Sequence, residues 1–139
     1  MSQEQNVKAQ ERLAEIINTR ELDKLGEVFA EDVVDHDPAP DQGEGVEGFR
    51  AFFKALSTGI PDLEIAPAVL VADDEHVAIA YTVSGTHDGE LLGVPPSGER
   101  VEFRGVQIAR FEDGKIVERW GSSDELGVLK QVKAEKVPG

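Results

Sequence analysis

The run Arg110-Phe111-Glu112-Asp113-Gly114-Lys115-Ile116-Val117-Glu118-Arg119-Trp120, followed by Gly121-Ser122-Ser123-Asp124, decides how this chain is read. Two alternating stretches flank Asp113-Gly114, the pair that suits a type I′ turn because both central residues take positive φ. The stretch therefore predicts strand, tight turn, strand. The second strand breaks at Gly121-Ser122-Ser123, and a short helix starts near Asp124. Ile116, Glu118, Trp120 and Ser122 share a parity along that strand, so a Glu stands among core candidates. It either lines a pocket or marks the other face. Asp124 falls at the mouth of the sheet, close to the indole of Trp120.

Outward from the hairpin, strands are expected over 63–72, 76–87, 99–112 and 115–121, with a short one over 32–38 halted by Pro38. Helices are expected over 4–18, 21–30, 46–57 and 124–133. Their apolar stripes are Ala9, Leu13, Ile16 and Ile17, then Leu22, Leu25, Val28 and Phe29, then Phe49, Phe52, Phe53 and Leu56. The Gly- and Pro-bearing segments 39–45 and 88–98 read as loops. Helices followed by a meander of antiparallel strands form the α+β pattern, with helices packed on one face of a curved sheet. Val77, Ile79, Tyr81 and Val83 should face the helices, and His87 follows that phase if no bulge intervenes.

A length of 139 residues suits one domain spanning 1–139. Net charge is −14, which repels phosphate backbones and disfavours a nucleic-acid partner. No stretch approaches the roughly 18 apolar residues of a membrane span, so no membrane partner is expected. The opening Met1-Ser2-Gln3-Glu4-Gln5-Asn6 lacks the features of a signal peptide and the chain has no Cys, which points to the cytoplasm. No Walker loop, dinucleotide fingerprint, Cys pair or His-Glu-x-x-His is present, so no cofactor and no metal are expected. The remaining partner is a small hydrophobic or aromatic ligand.

Asp124 is the first catalytic candidate, because desolvation against Trp120 would move its pKa toward neutrality. Ser122-Ser123-Asp124-Glu125 equally fits a capping box with Ser122 as N-cap, which makes Asp124 a first-turn acid. His36, between Asp35 and Asp37, is the second candidate: it faces a pocket or serves a loop, and adjacent strand residues point apart too strongly to share a metal. His87, where a strand yields to a loop, is the third. Phe52, Phe53, Tyr81 and Trp120 are candidate walls of a substrate cavity, with Gln107 counted beside them.

Asp35-His36-Asp37-Pro38, Gly45-Val46-Glu47-Gly48-Phe49-Arg50-Ala51-Phe52-Phe53, Pro61-Asp62-Leu63, Gly85-Thr86-His87-Asp88-Gly89-Glu90, Gly93-Val94-Pro95-Pro96-Ser97-Gly98 and the terminal hairpin together resemble the SnoaL-like polyketide cyclase (ester cyclase) family. The resemblance runs from the first helix to about Gln131. It implies the cone-shaped α+β barrel of the nuclear transport factor 2-like superfamily, with N-terminal helices on the concave face of a mostly antiparallel sheet, dimeric through that sheet. It implies cofactor-free intramolecular aldol chemistry, with one Asp near the end of the last strand as acid/base; Asp124 matches it, and His36 and His87 match recurrent positions. The expected function is general acid/base catalysis, an aldol cyclisation or related proton transfer, on a largely neutral carbonyl substrate. The alternatives are a non-catalytic ligand-binding or dimeric scaffold domain, and epoxide hydrolase- or isomerase-like activity.

Overall fold

The computed structural model describes residues 2–133. Asp113 and Gly114 adopt φ of 51° and 80°, so the tight turn forms as the dipeptide dictates. It joins β4 (Arg100–Glu112) to β5 (Lys115–Ser123). Upstream lie α1 (Ser2–Thr19), a 3-10 helix (Leu22–Glu27), β1 (Phe29–Asp35), α2 (Gly45–Gly59), β2 (Glu64–Ala72) and β3 (His76–Thr86); α3 (Glu125–Lys133) follows β5. The sheet order is β1-β5-β4-β3-β2, antiparallel except that β1 runs parallel to β5. The curved sheet does not close, and helices cover its concave side. Among the described residues no helix is long and apolar enough to cross a membrane.

The stretch expected as a helix over 21–30 is instead a short 3-10 helix leading into β1. Leu22, Leu25 and Val28 recur every three residues, a spacing that suits 3-10 geometry as well as an α-helical face. Phe29 must already be extended to pair with Ile116.

The concave face carries the core. Val77 and Val83 from β3, Val101, Ala109 and Phe111 from β4, and Phe29 and Val33 from β1 meet Leu13, Ile16 and Ile17 of α1. Phe29 stacks on Phe49 of α2 at 4.4 Å between ring centres. α1 packs over β2 and β3, α2 against β1, and α3 against β4.

Two register shifts shape the sheet. In β5, Ile116 pairs with Phe111 whereas Glu118 pairs with the adjacent Arg110, so Val117 is an extra residue. Such a bulge reverses the facing of the residues beyond it. Ile116 is buried on the concave face, but Glu118 and Trp120 turn to the convex face and Arg119 turns inward. The parity that groups Ile116 with Trp120 fails for this reason. In β2, an edge strand, the register shifts between Pro67 and Val69.

Candidate functional site

Between the concave face and the helices lies a cavity of about 1110 Å³. Phe49, Phe52, Phe53 and Leu56 of α2, Leu13 and Ile17 of α1, and Ile65, Pro67, Ile79, Val83 and Phe103 of the sheet form apolar walls. These residues follow from the period-3.6 stripes of the helices and the period-2 alternation of the strands. The exposed acids Asp41, Glu90 and Glu125 stand where the cavity meets solvent.

A polar cluster interrupts the apolar inner walls. Parallel pairing sets Asp35 opposite Arg119, and the bulge at Val117 turns Arg119 inward. Their side chains are 6 % and 15 % exposed, and Arg119 Nη1 lies 3.1 Å from Asp35 Oδ1. Gln42 Nε2 donates to Asp35 Oδ2 at 3.0 Å, and the Asp37 amide donates to Oδ1 at 3.0 Å. Arg119 Nε donates to Gln107 Oε1 at 3.1 Å. The two buried charges are thus paired and hydrogen-bonded, which their removal from water requires. Gly121 keeps the space beside the guanidinium open, since a Cβ there would collide with Arg119. Gly105 does the same for Tyr81, whose hydroxyl lies where a Cβ would stand. Burial pushes the Tyr81 phenol above its ordinary value, and Arg119 pulls it partly back. Tyr81 therefore keeps its proton at neutral pH and can donate it to a hydrogen bond.

Of the residues singled out in the sequence, Tyr81, Phe52, Phe53 and Gln107 line this cavity, whereas the three catalytic candidates and Trp120 do not. Asp124 is exposed and is itself the N-cap of α3: its Oδ1 accepts the Gly127 amide at 2.8 Å. The cap thus belongs to Asp124 rather than Ser122, and the dipole of α3 draws this carboxylate to the helix end instead of the cone. His36 lies on the convex face, stacked on Trp120 at 4.7 Å with planes 9° apart. Its Nε2 is 3.1 Å from Glu118 Oε2, and Arg110 Nη2 donates to Glu118 Oε1 at 2.7 Å. Those two partners, Arg110 foremost, hold the Glu118 carboxyl below its ordinary value.

His87 is fully buried, on the phase expected from Tyr81, but it serves the loop over 88–98. Nε2 donates to Val94 O at 3.3 Å, while Nδ1 accepts from the Ser97 amide at 3.3 Å and meets Ser97 Oγ at 2.8 Å. A carbonyl only accepts and an amide only donates, so these partners suit the tautomer that carries its hydrogen on Nε2. Among the described residues no group of three or more His, Cys, Asp or Glu is arranged to hold a metal ion.

A model of the SnoaL-like polyketide cyclase family matches residues 7–132. The chain belongs to this family. Solved structures agree in shape. A candidate SnoaL-like polyketide cyclase from Jannaschia sp. CCS1 is 27 % identical, over 96 % of this chain and 94 % of its own, with a TM-score of 0.86. IdmH of Streptomyces antibioticus, a candidate polyketide cyclase, is 30 % identical over 91 % and 96 %, with a TM-score of 0.80. AclR of Streptomyces galilaeus, a candidate hydroxylase, is 26 % identical over 99 % and 85 %, with a TM-score of 0.84. No curated protein matches the chain. In this SnoaL-like chain the inward positions at the end of the last strand hold Arg119, Gly121 and Ser123, and none is an acid. The carboxylate on Arg119 comes from β1.

Asp35 and Arg119 escape a motif-based reading. Asp35-His36-Asp37-Pro38 draws the eye to its imidazole, and Arg119 falls on the outer parity until the bulge is known. The one available signal is the pairing of an acid and a base near the ends of two candidate strands.

Proposed function

We propose that this SnoaL-like chain is a cyclase-like enzyme that performs cofactor-free acid/base chemistry on a largely neutral, carbonyl-bearing substrate held in the cone. The observation that carries the proposal is the Asp35–Arg119 pair, shielded from water among the apolar inner walls of the cavity, with the Tyr81 hydroxyl beside it. A substrate carbonyl oxygen accepts hydrogen bonds from Arg119 and Tyr81. Asp35 takes a proton from the adjacent carbon, and the electron pair moves onto that oxygen as an enolate. The enolate carbon attacks a second carbonyl of the same molecule, forming the ring bond. The resulting alkoxide takes the proton back from Asp35. Donors fixed on a developing oxyanion in a dry site contribute about 10²- to 10³-fold each, and a positioned acid/base about 10²- to 10⁴-fold.

Asp35→Asn keeps an acceptor for Arg119 and removes the base. With a panel of flat 1,3-dicarbonyl compounds able to close a ring, turnover is expected to fall by at least about 10²-fold. A loss under tenfold removes Asp35 from the mechanism. Tight binding of the panel with no turnover favours the ligand-binding alternative. The likeness to AclR makes hydroxylation the second activity to assay on the same panel.

The proposal includes a homodimer formed through the convex face. That face exposes Val34, Val69, Val71, Val106 and Ile108, and exposed apolar side chains gathered on one sheet face suit an interaction surface. A second copy is the partner that presents a matching apolar face. A cytoplasmic setting suits a chain without Cys.

A further inference from the structure

The loop between β1 and α2 carries a turn that hangs on one side chain. Ala39-Pro40-Asp41-Gln42 closes with the Gln42 amide donating to Ala39 O at 3.0 Å. Asp41 takes φ of 64°, as the second central residue of a type II turn must, and Pro40 suits the first. The Gln42 side chain closes the turn a second time, its Oε1 accepting the Ala39 amide at 3.0 Å. Its Nε2 reaches out to Asp35 Oδ2, the turn's one hydrogen bond to the rest of the protein among the described residues. Just beyond the turn the chain is seated on α2, where a Cβ on Gly48 would collide with Gly43 O. All four turn residues line the cavity, and Pro40 and Asp41 are exposed at its rim.

We propose that Gln42 is a positioning residue that clasps this turn to Asp35, so that the rim of the cone is shut only while the base is held in place. Asp35 Oδ1 already accepts from Arg119 Nη1 and from the Asp37 amide, which leaves Oδ2 to Gln42 and a longer Arg119 contact at 3.4 Å. The other charged or titratable groups here are Tyr81 of β3, beside Arg119, and Asp37, whose Oδ2 accepts the Gly121 amide at 2.9 Å. A hydrogen bond to an ionised acceptor is about twice as strong as a neutral one, so the clasp draws its strength from the charge on Asp35. The coupling runs both ways. Lifting the turn to admit a molecule frees Oδ2, and closing it over that molecule restores the hold on the base, as in sites completed by a closing loop. The inference rests on Asp35 being the base, but its test needs no substrate, so the two can fail separately.

The chain has no Cys, so Ala39→Cys places its one thiol in the half-buried part of the turn. The rate of labelling by N-ethylmaleimide, followed by mass spectrometry on the whole chain, then reports how often the turn lifts. Gln42→Leu in that background should raise the rate about tenfold, the effect of losing one hydrogen bond to a charged group. Gln42→Glu separates the clasp from the turn: it still accepts the Ala39 amide but sets a carboxylate against Asp35, and it should also raise the rate about tenfold. Asp35→Asn turns its own NH₂ toward Gln42 Nε2, donor against donor, and should do the same; were it to unfold, Gln42→Glu makes the comparison with Asp35 intact. Labelling at the original rate in Gln42→Glu, with native circular dichroism, overturns the proposal and leaves Gln42 a mere cap of its turn. An unchanged rate in folded Asp35→Asn overturns it too. Faster labelling in all three variants with turnover that survives Asp35→Asn supports the clasp and removes only the catalytic reading.

Discussion

Asp35 holds an inward guanidinium in place, and the two depend on each other. Asp35→Ala leaves Arg119 without its charge partner while only 15 % exposed, and a loss of about 3 kcal/mol in urea-unfolding stability is expected. Asp124 stands in contrast. Its carboxylate secures the first turn of α3, so Asp124→Ala should cost about 1 kcal/mol. In the ring-closing assay that variant should stay within about twofold of wild type, because the residue lies outside the cavity. A larger drop in kcat with an intact fold would return Asp124 to the chemistry. Both ways of using Asp124 were legible in its neighbours, Trp120 on one side and Glu125 on the other. What decides between them is the direction of one side chain, which spacing does not encode. The same holds for His36: its flanking acids are visible in the sequence, but not which face of the sheet its ring takes.

The elements themselves were largely legible, because each rests on local chemistry. Asp113-Gly114 sets the turn, the Phe-rich stripe sets α2, and Pro38 lies just beyond the end of β1. The bulge at Val117 was not legible, since an extra residue shows only when two strands are paired. That single shift exchanged Arg119 for Trp120 on the cavity wall and displaced the expected site. Close approach between strands and side chains follows the same logic. Gly105 pairs with Tyr81 across β3 and β4, and the phenol lies over it. Gly105→Ala should push Tyr81 aside and cost about 1–3 kcal/mol as an overpacked site. Ligand affinity should fall with it, and titration with the flat 1,3-dicarbonyl compounds would show whether it does. Unchanged affinity would mean that Tyr81 does not touch the ligand.

At the scale of the molecule, charge and exposed faces govern behaviour. The carboxyls of Asp62, held by Thr86, of Asp73, held by the amides of Glu75 and His76, and of Glu118, held by Arg110, are all more acidic than usual. Groups whose folded values are depressed stabilise the fold above the unfolded values, ordinarily 3.8 for Asp and 4.5 for Glu, and that contribution is lost as pH falls through the folded values. Tm should therefore fall as the pH drops below about 4, and Asp62→Asn should flatten the slope in a pH series of thermal melts. The convex face makes the other prediction. Val106→Asp with Ile108→Asp should yield monomers in sedimentation velocity while circular dichroism stays native; a monomeric wild type removes the dimer. One last consequence comes from the edge of the sheet. The Asn18 side chain takes the amide and carbonyl of Ile65 at the start of β2; further along, this edge strand exposes Val69 and Val71, but Pro67 withholds one amide and the shifted register beside it bends the strand. Replace that proline with valine, and the rim becomes a straight, sticky template on which partly unfolded copies could stack into fibrils, so a residue that looks like a flaw in the ladder guards the protein against aggregation.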